Sequence, residues 1–411
     1  MVKGPFRLVV CSVGVPHPSR DASLAVLYNY LQGLKNRGFE ILHVIALVES
    51  KGANKEYLES YKNEMCDDAF TVLVWETEEL MKPRKHIYSA MHPSALPGEI
   101  NEKILEYKPD MAFCFDIYGA GLMKDVPVLK LVQVHDLRFH TIWYHSWYFA
   151  LEHPRRLLGL PFAWVRSNCI RSFYRRVLST MDRVLVICKS SERVFERMGI
   201  HATYVPYAWA VEGQKEPINS LTLPAKPTFL FFGNLRGLGS RSALHFLLDK
   251  VYKRLITIWG SKGFDIIMCG AYELPDWVRE KVVSKPEILF KGFVEDLPAL
   301  MRHCHAVLVP ISVPVGNRTR IHHAMALGSL VIAHKNTALG NPGLVDGKTC
   351  YLAGNSHEFA ERMKYAFECP DDSLEIVKRA REFYNSNYRS DVATIKLIGE
   401  LNQIASKKVG T

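Results

Sequence analysis

Short runs rich in β-branched residues alternate along the chain with segments whose apolar positions recur at helical spacing. Residues 7–13 read as a strand, 22–36 as a helix and 41–48 as a second strand, with Lys35-Asn36-Arg37-Gly38 as the helix stop. Further strand-like runs fall at 71–75, 111–115, 129–134, 183–187 and 203–205, separated by segments of helix length. That alternation predicts a parallel sheet covered on both faces, a doubly wound domain. From Val211 to Pro227 the sustained apolar period is lost, and prolines bracket residues 218–223, which marks a linker. The alternation then restarts at 228–232, 243–258, 265–269, 288–290, 306–309, 321–327 and 330–333.

The predicted architecture is therefore α/β with two Rossmann-like, doubly wound domains facing across a cleft. The first spans 1–210, the linker 211–227 and the second 228–390, and a helix over 391–411 could return to pack on the first domain. Ligands of such sheets sit outside the carboxyl ends of the strands.

Composition adds three constraints. A length of 411 residues with 48% hydrophobic and 23% charged residues is ordinary for a globular chain of two domains, and excludes a disordered or fibrous one. The formal net charge of +10 favours anionic partners. The nine cysteines are odd in number, scattered and without a C-x-x-C pair, so neither a disulfide framework nor a metal site is expected. No signal-like start and no membrane-length apolar run occurs, which points to a cytoplasmic protein.

The most informative stretch runs from Val309 to Gly328, VPISVPVGNRTRIHHAMALG: a strand, a glycine loop, then a helix. The first N–H groups of a helix lack partners and its dipole is positive there. Gly316 would let the backbone approach an anion, while Arg318 and Arg320 add charge suited to phosphate oxygens. A second strand–loop–helix junction follows residues 229–232, where Gly233 permits close approach and Arg236 or Arg241 could reach a phosphate. Its spacing matches neither the dinucleotide fingerprint nor the P-loop.

The order of these landmarks resembles the GT-B glycosyltransferases, in particular the large retaining family 4. The likeness rests on Leu34-Lys35-Asn36-Arg37-Gly38, Lys108-Pro109-Asp110, His135-Asp136, Phe232-Gly233-Asn234, Lys291-Gly292-Phe293-Val294-Glu295-Asp296-Leu297 and Ala324-Met325-Ala326-Leu327-Gly328. What the resemblance implies is transfer of a sugar from a nucleotide-diphosphate donor, held mainly by the second domain, to an acceptor held mainly by the first. The base would lie near Gly270, Phe293, Val294 and Leu297. The diphosphate would meet Arg318, Arg320 and the helix beside them, flanked by Gly316, Asn317 and Thr319, with Gly233, Asn234, Arg236 or Arg241 opposite. His135 would hold the transferring sugar, with Asp136 able to orient its ring. Gly14, His17 and Arg20 are the acceptor-side candidates. Neither metal nor cofactor is expected, because basic side chains and helix dipoles can stabilise a departing diphosphate. The sequence departs from the family where paired glutamates often stand, with Val315 and His323 in their places. His323 could contact a ribose hydroxyl instead, or simply be packed.

Between Leu137 and Val177 stand ten aromatic residues and seven arginines against one acid, Glu152. This segment could dock on an anionic membrane carrying a lipid-linked acceptor, or be a helix pair with its aromatics packed inward. A nucleic-acid partner is not expected. The function expected is a glycosyltransferase of polysaccharide biosynthesis, retaining and metal-independent, acting on a glycan or lipid-linked acceptor. The alternatives are a noncatalytic GT-B scaffold and a sugar-nucleotide epimerase on the same fold.

Overall fold

Alternate residues of the first strand feed two separate cores. Leu8 and Val10 pack on one face with Leu27, Tyr30, Leu31 and Leu34, whereas Val9 and Cys11 pack on the other with Ala112, Cys114 and Val132. A strand buried on both faces needs a covering layer on each, which is the doubly wound plan anticipated from the alternation. The computed structural model describes residues 6–18, 22–47, 53–66, 70–76, 96–210, 218, 223–314 and 316–409. Two compact units result. One comprises Met1–Phe139, Trp164–Ala210 and Arg389–Thr411, the other His140–Ala163 and Val211–Tyr388.

The first unit holds a parallel sheet of β1 (Arg7–Val13), β2 (Glu40–Leu47), β3 (Phe70–Glu76), β4 (Met111–Phe115), β5 (Lys130–Val134), β6 (Arg183–Val186) and β7 (Ala202–Tyr204). Their spatial order is β3-β2-β1-β4-β5-β6-β7. The second holds β8 (Thr228–Phe232), β9 (Asp265–Cys269), β10 (Ile288–Phe290), β11 (Ala306–Val309), β12 (Val331–His334) and β13 (Tyr351–Ala353). Here the order is β10-β9-β8-β11-β12-β13. In each sheet the winding direction reverses beside the first strand, between β1 and β4 and between β8 and β11. The loops leaving those strands diverge there and leave room for a ligand.

Two assignments differ in detail from the sequence reading. Residues 140–163, read there as part of the first domain, cluster with the second unit, because Phe149 and Glu152 pack on Arg241. The helix expected over 243–258 starts earlier, at Leu238–Phe246, and runs through a π-type turn, Leu247–Val251, into Tyr252–Trp259. All nine cysteines are unbridged. Among the described residues no helix is long and apolar enough to cross a membrane.

The last helix, Ser390–Val409, belongs to the first unit and lies on the helix Ala22–Lys35. Ala393, Leu397, Leu401 and Ile404 join the core of Leu27 and Leu34, and Glu400 pairs with Arg183 of β6 at 2.7 Å. The two helices approach closely at Gly33, where an added Cβ would lie 2.5 Å from Thr394 Oγ1. Thr394 cannot swing away, being fully buried and donating to the Ser390 carbonyl at 2.8 Å. Gly33→Ala should therefore destabilise the chain by about 1–2 kcal/mol, overpacking outweighing the roughly 1 kcal/mol that alanine gains as a helix former. Adding Thr394→Ala should recover part of that loss in urea denaturation.

Candidate functional site

In the second unit, three strand ends are drawn together by glycine. Gly233, after β8, donates its N–H to the Cys269 carbonyl at 3.1 Å, and Gly270, after β9, donates to the Gly292 carbonyl at 2.9 Å. A Cβ on Gly270 would lie 2.7 Å from the Gly233 nitrogen, so no larger residue fits without moving backbone. Gly233 has φ +122°, and a Cβ there would lie 2.7 Å from Arg320 Nη2. The glycine is thus required both by its conformation and by the guanidinium against it.

Arg320 comes from the helix Thr319–Leu327, whose N-cap is Arg318. Its Nη2 donates to Ser240 Oγ at 2.9 Å, and its guanidinium lies 5.2 Å from the Phe231 ring centroid. Arg318 lies against Gly239, where an added Cβ would be 3.1 Å from its Cζ. Both arginines therefore reach the start of the helix Leu238–Phe246. Two guanidiniums and two helix starts meet at the carboxyl edge of β8 and β11, an arrangement suited to an anion. Burial, then the charge of Arg318, push the Arg320 pKa down to about 9, which still leaves it cationic at neutral pH. Arg320 Nη1 is buried with no hydrogen-bond partner among the described residues. A negative oxygen placed there would satisfy that N–H and relieve the like-charge contact.

The loop before Arg318 is held from beneath by a buried amide network. Asn317 Oδ1 accepts from the Arg318 backbone N–H at 2.8 Å and from Asn341 Nδ2 at 3.3 Å. Asn341, fully buried, also lies 3.3 Å from His322 Nε2 through Nδ2, while its Oδ1 accepts from the Gly343 N–H and the Tyr388 hydroxyl. The two Nδ2 hydrogens satisfy Asn317 and His322 if Nε2 accepts, which assigns the His322 proton to Nδ1. Burial lowers the His322 pKa to about 3, consistent with a neutral ring.

Other expected residues fall in different settings. Arg241 is buried and committed to Glu152, 3.2 Å from its Oε1, with the guanidinium 4.0 Å from the Phe149 centroid. The same Glu152 oxygen lies 3.1 Å from His245 Nε2. Arg236 and Asn234 are exposed, and Asn234 Oδ1 accepts from the Arg236 N–H at 3.0 Å. His323 is half-buried beside Phe232, and burial lowers its pKa. Phe293 is exposed and stacks on Tyr272 at 5.7 Å and 15°. Val294 and Leu297 follow, half-buried, with Asp296 capping the next helix at the Ala299 N–H. Gly316 has φ +71° at the turn, and Thr319 opens the helix.

In the first unit, Gly14 (φ +91°), Asp116 (φ +61°) and His135 end β1, β4 and β5 on one edge of the sheet. His135 is buried edge-on against Phe115 at 4.3 Å, and its N–H lies 3.4 Å from Asp116 Oδ1. Asp136 is exposed, and His17 rests on Tyr57 at 4.4 Å. Arg20 and Val315 lie outside the described residues. Sequence reasoning passed over Asp116, Tyr272, Asn341 and Tyr388. Only Asn341 carried a signal, standing between Gly340 and the Pro342-Gly343 pair.

Residues 226–368 match the family model of glycosyl transferases group 1. The chain carries a group 1 glycosyltransferase domain. Its helix starts, Gly233, Arg318 and Arg320 all lie inside the matched stretch. Among solved structures, Anabaena Alr3699/HepE in complex with UDP and glucose is 14% identical with a TM-score of 0.61, over 97% of this chain and 100% of that one. A glycosyltransferase from Rickettsia africae ESF-5 is 14% identical with a TM-score of 0.65, over 97% and 98%. The lipopolysaccharide outer core galactosyltransferase WaaB, in its apo form, is 12% identical with a TM-score of 0.56, over 98% and 100%. These likenesses show the GT-B fold. No curated protein matches the chain.

The histidine under the site of this glycosyltransferase sets an acid limit. A ring whose pKa is lowered to about 3 when folded and is near 6.5 when unfolded binds fewer protons in the native state. Its stabilisation is therefore present above pH 6.5 and lost as pH falls toward 3. Denaturation at pH 7 and pH 5 should show a smaller acid loss in His322→Gln than in the parent chain.

Proposed function

We propose that the enzyme moves a sugar from a nucleotide-diphosphate donor to a glycan or lipid-linked acceptor, with retention and without a metal. The observation that carries this is the packing of Arg318 and Arg320, from one helix start, against the glycine loop after β8. Negative charge grows on the diphosphate as the glycosidic bond breaks, and preorganised donors aimed at it lower the barrier. The buried Asn341 network fixes Asn317, and through it the backbone at Arg318, before the donor arrives.

The exposed Tyr272–Phe293 stack offers a flat face for the base, with Val294 backbone groups beside it to read the edge. His323, held neutral by its burial, would meet a ribose hydroxyl. His135 would hold a hydroxyl of the transferring sugar, and Gly14, His17, Arg20 and Asp136 would serve the acceptor. In a retaining route by internal return, the leaving phosphate oxygen takes the acceptor proton as the new bond forms. That route needs no protein general base. A UDP-type donor is supported by the ligands named for the Anabaena structure. The epimerase alternative is weaker, since the matching family model is one of glycosyl transferases. A lipid-linked acceptor would be met at an anionic membrane surface by a cytoplasmic enzyme.

Arg318→Ala and Arg320→Ala should each lower kcat by about 10²–10³, the range found for removing one transition-state donor. Both variants should keep the parent melting temperature to within a few degrees while losing the thermal shift given by UDP. Unchanged turnover in both would overturn the assignment.

A further inference from the structure

The arginine- and aromatic-rich segment divides sharply once its burial is known. Phe149 lies beneath Arg241, Tyr148 stacks on His245 at 5.5 Å, and Phe173 and Tyr174 are in the core. These aromatics are structural. Exposed are Trp147 and Leu151 on the helix Arg138–Glu152 and, beyond them, one continuous stretch, a 3-10 turn over Pro154–Gly159 followed by the helix Leu160–Leu178. Between Arg155 and Arg166 only Ala163 is buried. Leu158 is 90% exposed, Trp164 60% and Phe162 57%, with Leu157 and Val165 also exposed. The exposed arginines are Arg155, Arg156, Arg166, Arg171, Arg175 and Arg176, and no acid stands between Glu152 and Asp182.

We infer that this ridge seats the enzyme on an anionic lipid bilayer, Leu157, Leu158, Phe162, Trp164 and Val165 entering the interface while the arginines meet headgroup charge. Five large apolar side chains within nine residues are costly to leave in water. Their flanking charge selects the occupant, since an uninterrupted run of arginine complements anionic headgroups and tryptophan settles at that depth. Arginine stems can lie along the apolar surface with their heads in the headgroup layer. The inference rests on the proposed membrane-presented acceptor for its purpose, but the docking itself is independent of transfer.

The test is co-sedimentation of the full chain with vesicles of phosphatidylcholine alone and of equal parts phosphatidylcholine and phosphatidylglycerol. Binding is expected to the mixed vesicles and to weaken with added salt. Each of Arg155→Gln and Arg156→Gln should reduce the partition coefficient about fivefold, from roughly 1 kcal/mol per basic residue near the surface. The triple variant Leu158→Ser, Phe162→Ser, Trp164→Ser should lose binding at least tenfold, and since these side chains are exposed its melting temperature should match the parent's. Equal binding to neutral vesicles, no binding to either, or full binding by all the variants would each overturn the docking surface. A UDP thermal shift, measured on the same proteins without lipid, reports the donor site separately. If it persists while vesicle binding fails, the docking inference falls and the transferase reading stands.

Discussion

Two like charges held side by side constrain everything around them in the second unit. Arg318 and Arg320 leave one helix start and lie against Gly239 and Gly233, so a side chain at either glycine would displace a guanidinium. The constraint propagates backward through the sheet. Gly233 can sit where it does only because Gly270 also lacks a Cβ, and Gly270 is in turn tied to Gly292. Three successive strand ends are thereby set at the height where an anion would meet both guanidiniums. Ser240 contributes one neutral acceptor to Arg320 and no charge, so this contact does not neutralise the guanidinium.

Arg241 shows the opposite use of the same residue type one position beyond Ser240. Its partner is Glu152, itself buried, and Phe149 covers the guanidinium. A buried ion pair gains little over apolar packing, but removing one member strands the other charge. The pair therefore acts as a specific tie for the segment 140–163, reinforced by His245 on the same carboxylate. Neutralised in this way, Arg241 adds far less field at a phosphate than an arginine facing polar neighbours. Charge available to a ligand is set by the company each arginine keeps, which a count of basic residues cannot reveal.

That distinction explains how much could be read from the sequence. Both doubly wound sheets were legible, because strands buried on both faces leave apolar runs and helices leave a period. The glycine loops and Arg318 with Arg320 were legible too, since the chemistry of a helix start is local. Arg241 looked the same as Arg236 because its carboxylate partner is far away in sequence, at Glu152. Asn341 and Tyr388 escaped for a related reason: a buried amide network has no periodicity, and its members come together only when the strands and helices around β11 and β12 have packed. Asp116 escaped because its positive φ is a property of the folded turn after β4.

The replacement of the usual carboxylates follows the same electrostatic logic. With His323 at the second family position, half-buried and neutral by burial, the helix that supplies Arg320 carries no acid from Thr319 to Leu327. A carboxylate on that helix would accept donor hydroxyls well but would also oppose the diphosphate. A neutral imidazole can accept or donate one hydrogen bond at no electrostatic cost to the anion beside it. In the proposed reading such a site would trade part of its grip on hydroxyl groups for a stronger field at the phosphates, and recognition of the donor would lean on the diphosphate and on the exposed Tyr272–Phe293 face.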